Sequence, residues 1–88
     1  MIVKIDISFE KDVKNINSQL INKKLVTVIN KIQQANKISD IANLKKIQGT
    51  NNYYRIRIGD YRLGMIIIKE EVQLIRLLHR KDIYRYFP

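Results

Sequence analysis

The chain has 88 residues and carries 17 Lys and Arg against 8 Asp and Glu, a net charge of +9 with an isoelectric point near 10.0. That length limits it to one domain, 1–88, and the absence of Cys with a single His excludes a disulfide framework, a zinc knuckle and a thiol nucleophile, so no metal or cofactor is expected. The longest apolar run, Met65–Ile68, is too short for a bilayer and the opening residues lack a leader pattern, so we expect a soluble cytoplasmic protein without membrane contact whose partner is an anion, nucleic acid or acidic protein first.

Met1–Ile7 alternates, with Val3, Ile5 and Ile7 on one side, and predicts a strand. Ser8 is the expected helix cap, and Glu10 and Asp12 suit a first turn. Phe9, Val13, Ile16 and Leu20 then form one helical stripe. Asn22 is the expected second cap, ahead of a stripe made by Leu25, Val28, Ile29, Ile32 and Ala35. Two such helices with almost no linker predict a helical hairpin packed on a sheet. Residues 36–48 read as a short helical turn or a loop with buried anchors. Tyr53–Ile58, Tyr61–Lys69 and Val72–Leu78 alternate as strands. Gly59-Asp60 between the first two is a two-residue hairpin signal. Arg80–Pro88 has the length of one or two helical turns. The predicted architecture is α+β, in the order β-α-α-β-β-β with a short C-terminal helix or tail. It places a two-helix hairpin on one face of a mostly antiparallel, four-stranded sheet and leaves the other face open.

Every Arg lies in the second half of the chain, where the net charge is +6 against +3 in residues 1–44. Arg is suited to forked phosphate recognition, whereas Lys serves equally as solvated charge. A Gly59-Asp60 turn pairs Ile58 with Tyr61 and Arg57 with Arg62. Side chains alternate along a strand, so Arg55, Arg57 and Arg62 share the open, wet face. Ile56, Ile58, Tyr61 and Leu63 then face the helices. Gly64 falls opposite Arg55 and leaves a vacant floor among the cations. Like charges directly opposite cost about 0.2–1 kcal/mol, so the arrangement outlines an oxyanion or phosphate site; the alternative is that these Arg residues are solvated or paired with Asp60 and Glu70. Arg76 joins this face if the Lys69–Glu71 loop is odd in length and leaves it if the loop has two residues. His79 is the one side chain that ordinarily titrates near neutrality. Tyr84, Tyr86 and Phe87 are candidates for docking the tail, and Tyr84 or Tyr86 could instead supply a phenol beside the Arg cluster.

Tyr54-Arg55-Ile56-Arg57-Ile58-Gly59-Asp60-Tyr61-Arg62, followed by His79-Arg80-Lys81-Asp82-Ile83-Tyr84-Arg85, resembles the RelE/ParE superfamily of bacterial toxins. Leu44-Lys45-Lys46-Ile47-Gln48-Gly49 is similar to the segment that precedes this pattern in the family. The resemblance covers nearly the whole chain and sits nearer the RelE branch. It implies the toxin of a type II toxin–antitoxin pair that cuts ribosome-bound mRNA. It also implies a cognate acidic antitoxin as partner, in a toxin–antitoxin hetero-oligomer. The alternative branch, ParE, shares the fold but poisons DNA gyrase without nuclease activity.

Carried over by position, the resemblance makes Arg55 and Arg57 the basic pair of the first hairpin strand and Arg62 the Arg of the next. Lys81 or Arg80 matches the basic residue after the last strand, and Tyr86 or Phe87 lies nearest the C-terminal catalytic Tyr. The best-studied RelE pattern has Lys where this chain has Arg55 and Arg57, and Arg is a poor proton acceptor. The implied chemistry is metal-free attack of a 2′-OH on the adjacent phosphorus, with the Arg residues neutralising the transition state. Tyr86, Tyr84 or His79 is the expected proton donor. Arg76, Arg80, Tyr84, Arg85, Lys45 and Lys46 are the expected contacts to RNA and ribosome.

Overall fold

The computed structural model describes all of residues 1–88. Its elements run β1 (Ile2–Ile5), α1 (Ile7–Lys14), α2 (Gln19–Gln34), a 3-10 turn (Ile38–Asp40), β2 (Leu44–Lys46), β3 (Tyr53–Ile58), β4 (Tyr61–Ile68), β5 (Glu71–His79) and α3 (Ile83–Tyr86). The sheet has five strands in the order β1-β5-β4-β3-β2, with β1 parallel to β5 and the other pairs antiparallel. The expected α+β architecture is present, with one more strand than four. The addition is β2, inside the segment read as a turn or loop. Three residues are too few to show alternation, and β2 exists because β3 offers it an edge.

The helix boundaries also differ from the expected ones. Asp6, not Ser8, caps α1 by accepting from the Ser8 amide, and Ser18, not Asn22, caps α2 by accepting from the Ile21 amide. Leu20 therefore belongs to the second helix and is exposed, while Ile16 is buried in the connection. Leu20 fitted the first stripe only because spacing carries no mark of a chain break. The core lies between the helices and one sheet face, where Phe9, Leu25 and Ile32 meet Ile56, Leu63, Met65 and Leu74.

The predicted hairpin register is observed: Ile58 pairs with Tyr61, Arg57 with Arg62 and Arg55 with Gly64. Gly59 takes φ of +58°, a left-handed conformation that a tight two-residue turn demands and glycine supplies without strain. No helix is long and apolar enough to cross a membrane.

Candidate nucleic-acid interface on the open sheet face

Residues directly opposite one another in an antiparallel sheet share a face. Lys45, Arg55, Gly64 and Arg76 therefore form one row across β2, β3, β4 and β5, and Arg57, Arg62 and Leu78 form the next. Both rows lie on the face turned away from the core that α1 and α2 cover. Arg76 reaches this face by two parity changes. The β4–β5 turn has two residues, with Ile68 opposite Glu71, which alone would send Arg76 to the helices. An irregularity between Gly64 and Met65 leaves Ile75 without an opposite residue and returns Arg76 to the basic side. Bulges of this kind re-aim side chains. Lys46 pairs instead with Tyr54, which packs on the core, so Lys46 belongs to the other face.

Arg62 departs from the expected wet-face residue. Only 8% of it is exposed, because its Nη1 turns back onto the hairpin, donating to the Gly59 carbonyl at 3.1 Å and the Tyr61 carbonyl at 2.9 Å. Burial pushes its pKa below the ordinary guanidinium value, with Arg57, Arg55 and Arg80 pushing the same way and Tyr84 opposing them. The fold has two ion pairs, Lys4–Glu71 and Arg76–Asp12. Arg55, Arg57, Arg62 and Lys45 thus have no carboxylate partner. Two like-charge pairs stand directly opposite, Lys45–Arg55 and Arg57–Arg62. Each costs about 0.2–1 kcal/mol without a counter-ion, so an anion on this face is stabilised twice, by attraction and by relief of repulsion.

Arg76 is held differently. Its Nε and Nη2 donate to the two Asp12 oxygens at 2.7 and 3.0 Å, and Asp12 also accepts from the Leu77 amide. Beyond Leu74 the strand β5 has no β1 residue opposite it, so α1 covers that edge and Asp12 satisfies one of its free donors. Forked binding by Asp12 raises the Arg76 pKa. Its guanidinium carbon lies 5.8 Å from the centre of the Tyr86 ring.

The tail fills the floor that was expected to be vacant. Phe87 is 2% exposed and lies over Gly64, with its ring 5.4 Å from that of Tyr53. Ile83 is buried as well, and neither residue joins the main core. The four-residue helix α3 begins at Ile83 and is followed by Phe87, so the three residues between these anchors, Tyr84, Arg85 and Tyr86, are left exposed. Tyr84 stands near enough to Arg62 to influence its charge, whereas Tyr86 sits over Arg76. Arg80 and Lys81 are exposed at the β5–α3 junction, where the Arg80 amide donates to the Asp60 carbonyl of the hairpin turn.

His79 is not brought to the Arg cluster. It pairs with Tyr61, which packs toward the core, so both rings are on the helix side, edge to face at 5.6 Å. Its Nδ1 accepts from the Lys81 amide. Sequence reasoning missed Asp12 as the Arg76 tether and Phe87 as the plug over Gly64. A Gly inside a strand was the available signal for the second, since it often marks a close approach.

A small sheet with an Arg cluster that lacks carboxylate partners on one face, and a short aromatic tail beside it, has the chemistry to meet an anion. Comparison with known proteins narrows the class. A family model for the ParE toxin of the type II toxin–antitoxin system, parDE, matches residues 3–84. A curated relative, Toxin RelE3 of Methanocaldococcus jannaschii, is 42% identical over 82 residues, 92% of each chain. The crystal structure of the RelB–RelE antitoxin–toxin complex from Methanococcus jannaschii matches with a TM-score of 0.81 at 38% identity, covering 97% of this chain and 99% of that one. The archaeal RelE–RelB complex from Pyrococcus horikoshii shares the fold, with a TM-score of 0.71 at 19% identity over 90% of this chain and 93% of the other. The chain belongs to the RelE/ParE family of type II toxin–antitoxin toxins.

Proposed function

We propose that the protein is a ribosome-dependent, metal-independent mRNA endoribonuclease that inhibits translation and is neutralised by a cognate acidic antitoxin. The observation that carries this reading is the Arg57–Arg62 pair with Arg55 beside it, three guanidinium groups on one face with no carboxylate partner. Support comes from the 42% identical relative named Toxin RelE3 and from the 38% identical match in a RelB–RelE antitoxin–toxin complex.

In the reaction, the 2′-oxygen of one nucleotide bonds to the adjacent phosphorus and the bond to the 5′-oxygen breaks. The 2′-OH proton leaves to solvent or to the ribosome, and the departing 5′-oxygen gains a proton. The products are a 2′,3′-cyclic phosphate and a 5′-OH end. Because the nucleophile belongs to the RNA, the protein needs none. Arg55, Arg57 and Arg62 stabilise the charge that builds on the non-bridging oxygens, an effect that often dominates catalysis. The ribosome fixes the RNA in a reactive geometry. Of the three candidate proton donors, Tyr84 is favoured: it is exposed on α3, whereas His79 lies on the helix side of the sheet with Tyr61 and Tyr86 sits over Arg76. A donor of this kind contributes about 10²–10⁴-fold. Tyr86 orders the tail against Arg76, and Arg80, Lys81, Arg85 and Lys45 meet RNA phosphates at the rim.

The test is induction of the chain alone in a bacterial host. Growth and protein synthesis should stop, mRNA should be cut and DNA supercoiling should stay normal. Intact mRNA with gyrase-linked DNA breaks would move the protein to the ParE type of action.

A further inference from the structure

The basic surface does not end at the sheet face. The strand β2 pairs with β3 only from Tyr54 to Ile56, so Arg57 and Ile58 have no strand beside them on that edge. The helix α2 passes there instead. Between them runs a groove of about 380 Å³ lined by Lys23, Lys24, Thr27, Val28, Arg57 and Ile58, among others. A smaller hollow that shares Val28 and Arg57 adds Lys31. Lys24, Thr27, Val28 and Lys31 stand three, four and seven positions apart, so they share one helix face. None of Lys23, Lys24, Lys31 or Arg57 is paired with a carboxylate. Arg57 thus belongs to both surfaces, as the partner of Arg62 across the hairpin and as the wall of the groove.

From this juxtaposition we infer that the α2–β3 groove is a second binding track for single-stranded RNA, taking the backbone phosphates that flank the scissile one on the open face. The inference rests on the endoribonuclease reading for the identity of the RNA. The occupant follows from the lining. An acidic peptide segment that folds into a groove is held by apolar anchors at helical spacing, and this groove offers Val28 and Ile58 as its apolar residues. Three Lys and one Arg with no fork-binding partner instead suit point contacts to phosphates, which position a strand without reading its bases. The track supplies affinity and direction, while chemistry stays with Arg55, Arg57 and Arg62.

The experiment compares the wild-type chain with the triple variant Lys23→Gln, Lys24→Gln, Lys31→Gln. A labelled oligouridylate and a labelled acidic peptide are titrated by fluorescence anisotropy at several salt concentrations, and ribosome-bound mRNA cleavage is followed alongside. Each phosphate contact on a single strand contributes about 0.7 to the slope of log affinity against log salt. The triple variant should therefore lose about 2 from that slope and bind the oligouridylate at least tenfold more weakly near 0.1 M salt. Its KM for cleavage should rise with kcat little changed. An unaltered slope and affinity would overturn the inference. So would loss of peptide binding with RNA binding intact, which would assign the groove to a protein partner. A wild-type chain that binds RNA with the groove-dependent slope but cuts nothing would sink the nuclease reading and leave the groove standing.

Discussion

The ring of Phe87 occupies the space that a side chain at position 64 would need: a Cβ on Gly64 would stand 2.7 Å from Phe87 Cδ2. The strand glycine and the tail aromatic form one lock. It seats the short tail, with its single helical turn α3, on the basic face.

Gly64→Ala should therefore expel Phe87 without unfolding the sheet, because the new methyl meets the ring and not the backbone. Hydrogen exchange of residues 83–87 should accelerate while exchange of β3 and β4 stays slow. RNA cleavage should fall by the contribution of a proton donor, about 10²-fold or more. Phe87→Ala should do the same from the other side.

Arg62 and its neighbours should separate in mutagenesis. Arg55→Lys and Arg57→Lys should keep most cleavage activity, since both groups act as uncommitted positive charge. Arg62→Lys should lose most of it. An ammonium is a point donor and cannot hold the Gly59 and Tyr61 carbonyls while presenting a second edge to phosphate. Single-turnover rates with melting curves alongside distinguish lost chemistry from lost fold.

Asp12→Ala should destabilise the fold by about 2–3 kcal/mol, the range for a charged hydrogen-bonded group that also leaves a strand amide unsatisfied. Urea unfolding measures this. The Tyr86 contact with Arg76 should loosen as well, reported by faster exchange in the tail.

Acid stability should carry a signature of Asp6. The Ser8 hydroxyl, then the Ser8 amide, hold its carboxyl below the ordinary value. A depressed carboxylate stabilises the fold above its unfolded pKa, about 3.9, and loses that contribution as pH falls through the lower folded value. Asp6→Asn, which still caps, should remove this part of the pH dependence below about pH 4 and lower melting slightly at neutral pH, where the ionised carboxylate makes its contribution in the wild-type chain.

The basic hairpin was legible because its determinants are local: a Gly-Asp turn fixes the register, and the register fixes which Arg residues face each other. Arg76 was not legible. Its side depends on an unpaired residue at Ile75, and nothing in Leu74-Ile75-Arg76-Leu77 marks a bulge. His79 followed the same logic in reverse, since its position opposite Tyr61 and not beside Arg62 depends on that bulge. The vacant floor at Gly64 was correctly placed but wrongly left empty, because Phe87 fills it from a distant part of the chain. The Arg62 side chain had the right face and the wrong environment: alternation shows where a side chain starts, not whether it folds back onto its own turn.

On the proposed function, the Arg face without carboxylate partners cuts RNA on the ribosome. The direct measurement is incubation of the purified chain with ribosomes carrying a defined mRNA, followed by analysis of the new ends. The account predicts cleavage within the decoding site, a 2′,3′-cyclic phosphate on one fragment and a 5′-OH on the other, with both lost in folded Arg62→Ala. An mRNA that stays intact with the folded wild-type chain bound to the ribosome, or cleavage that proceeds unchanged in Arg62→Ala, would contradict it.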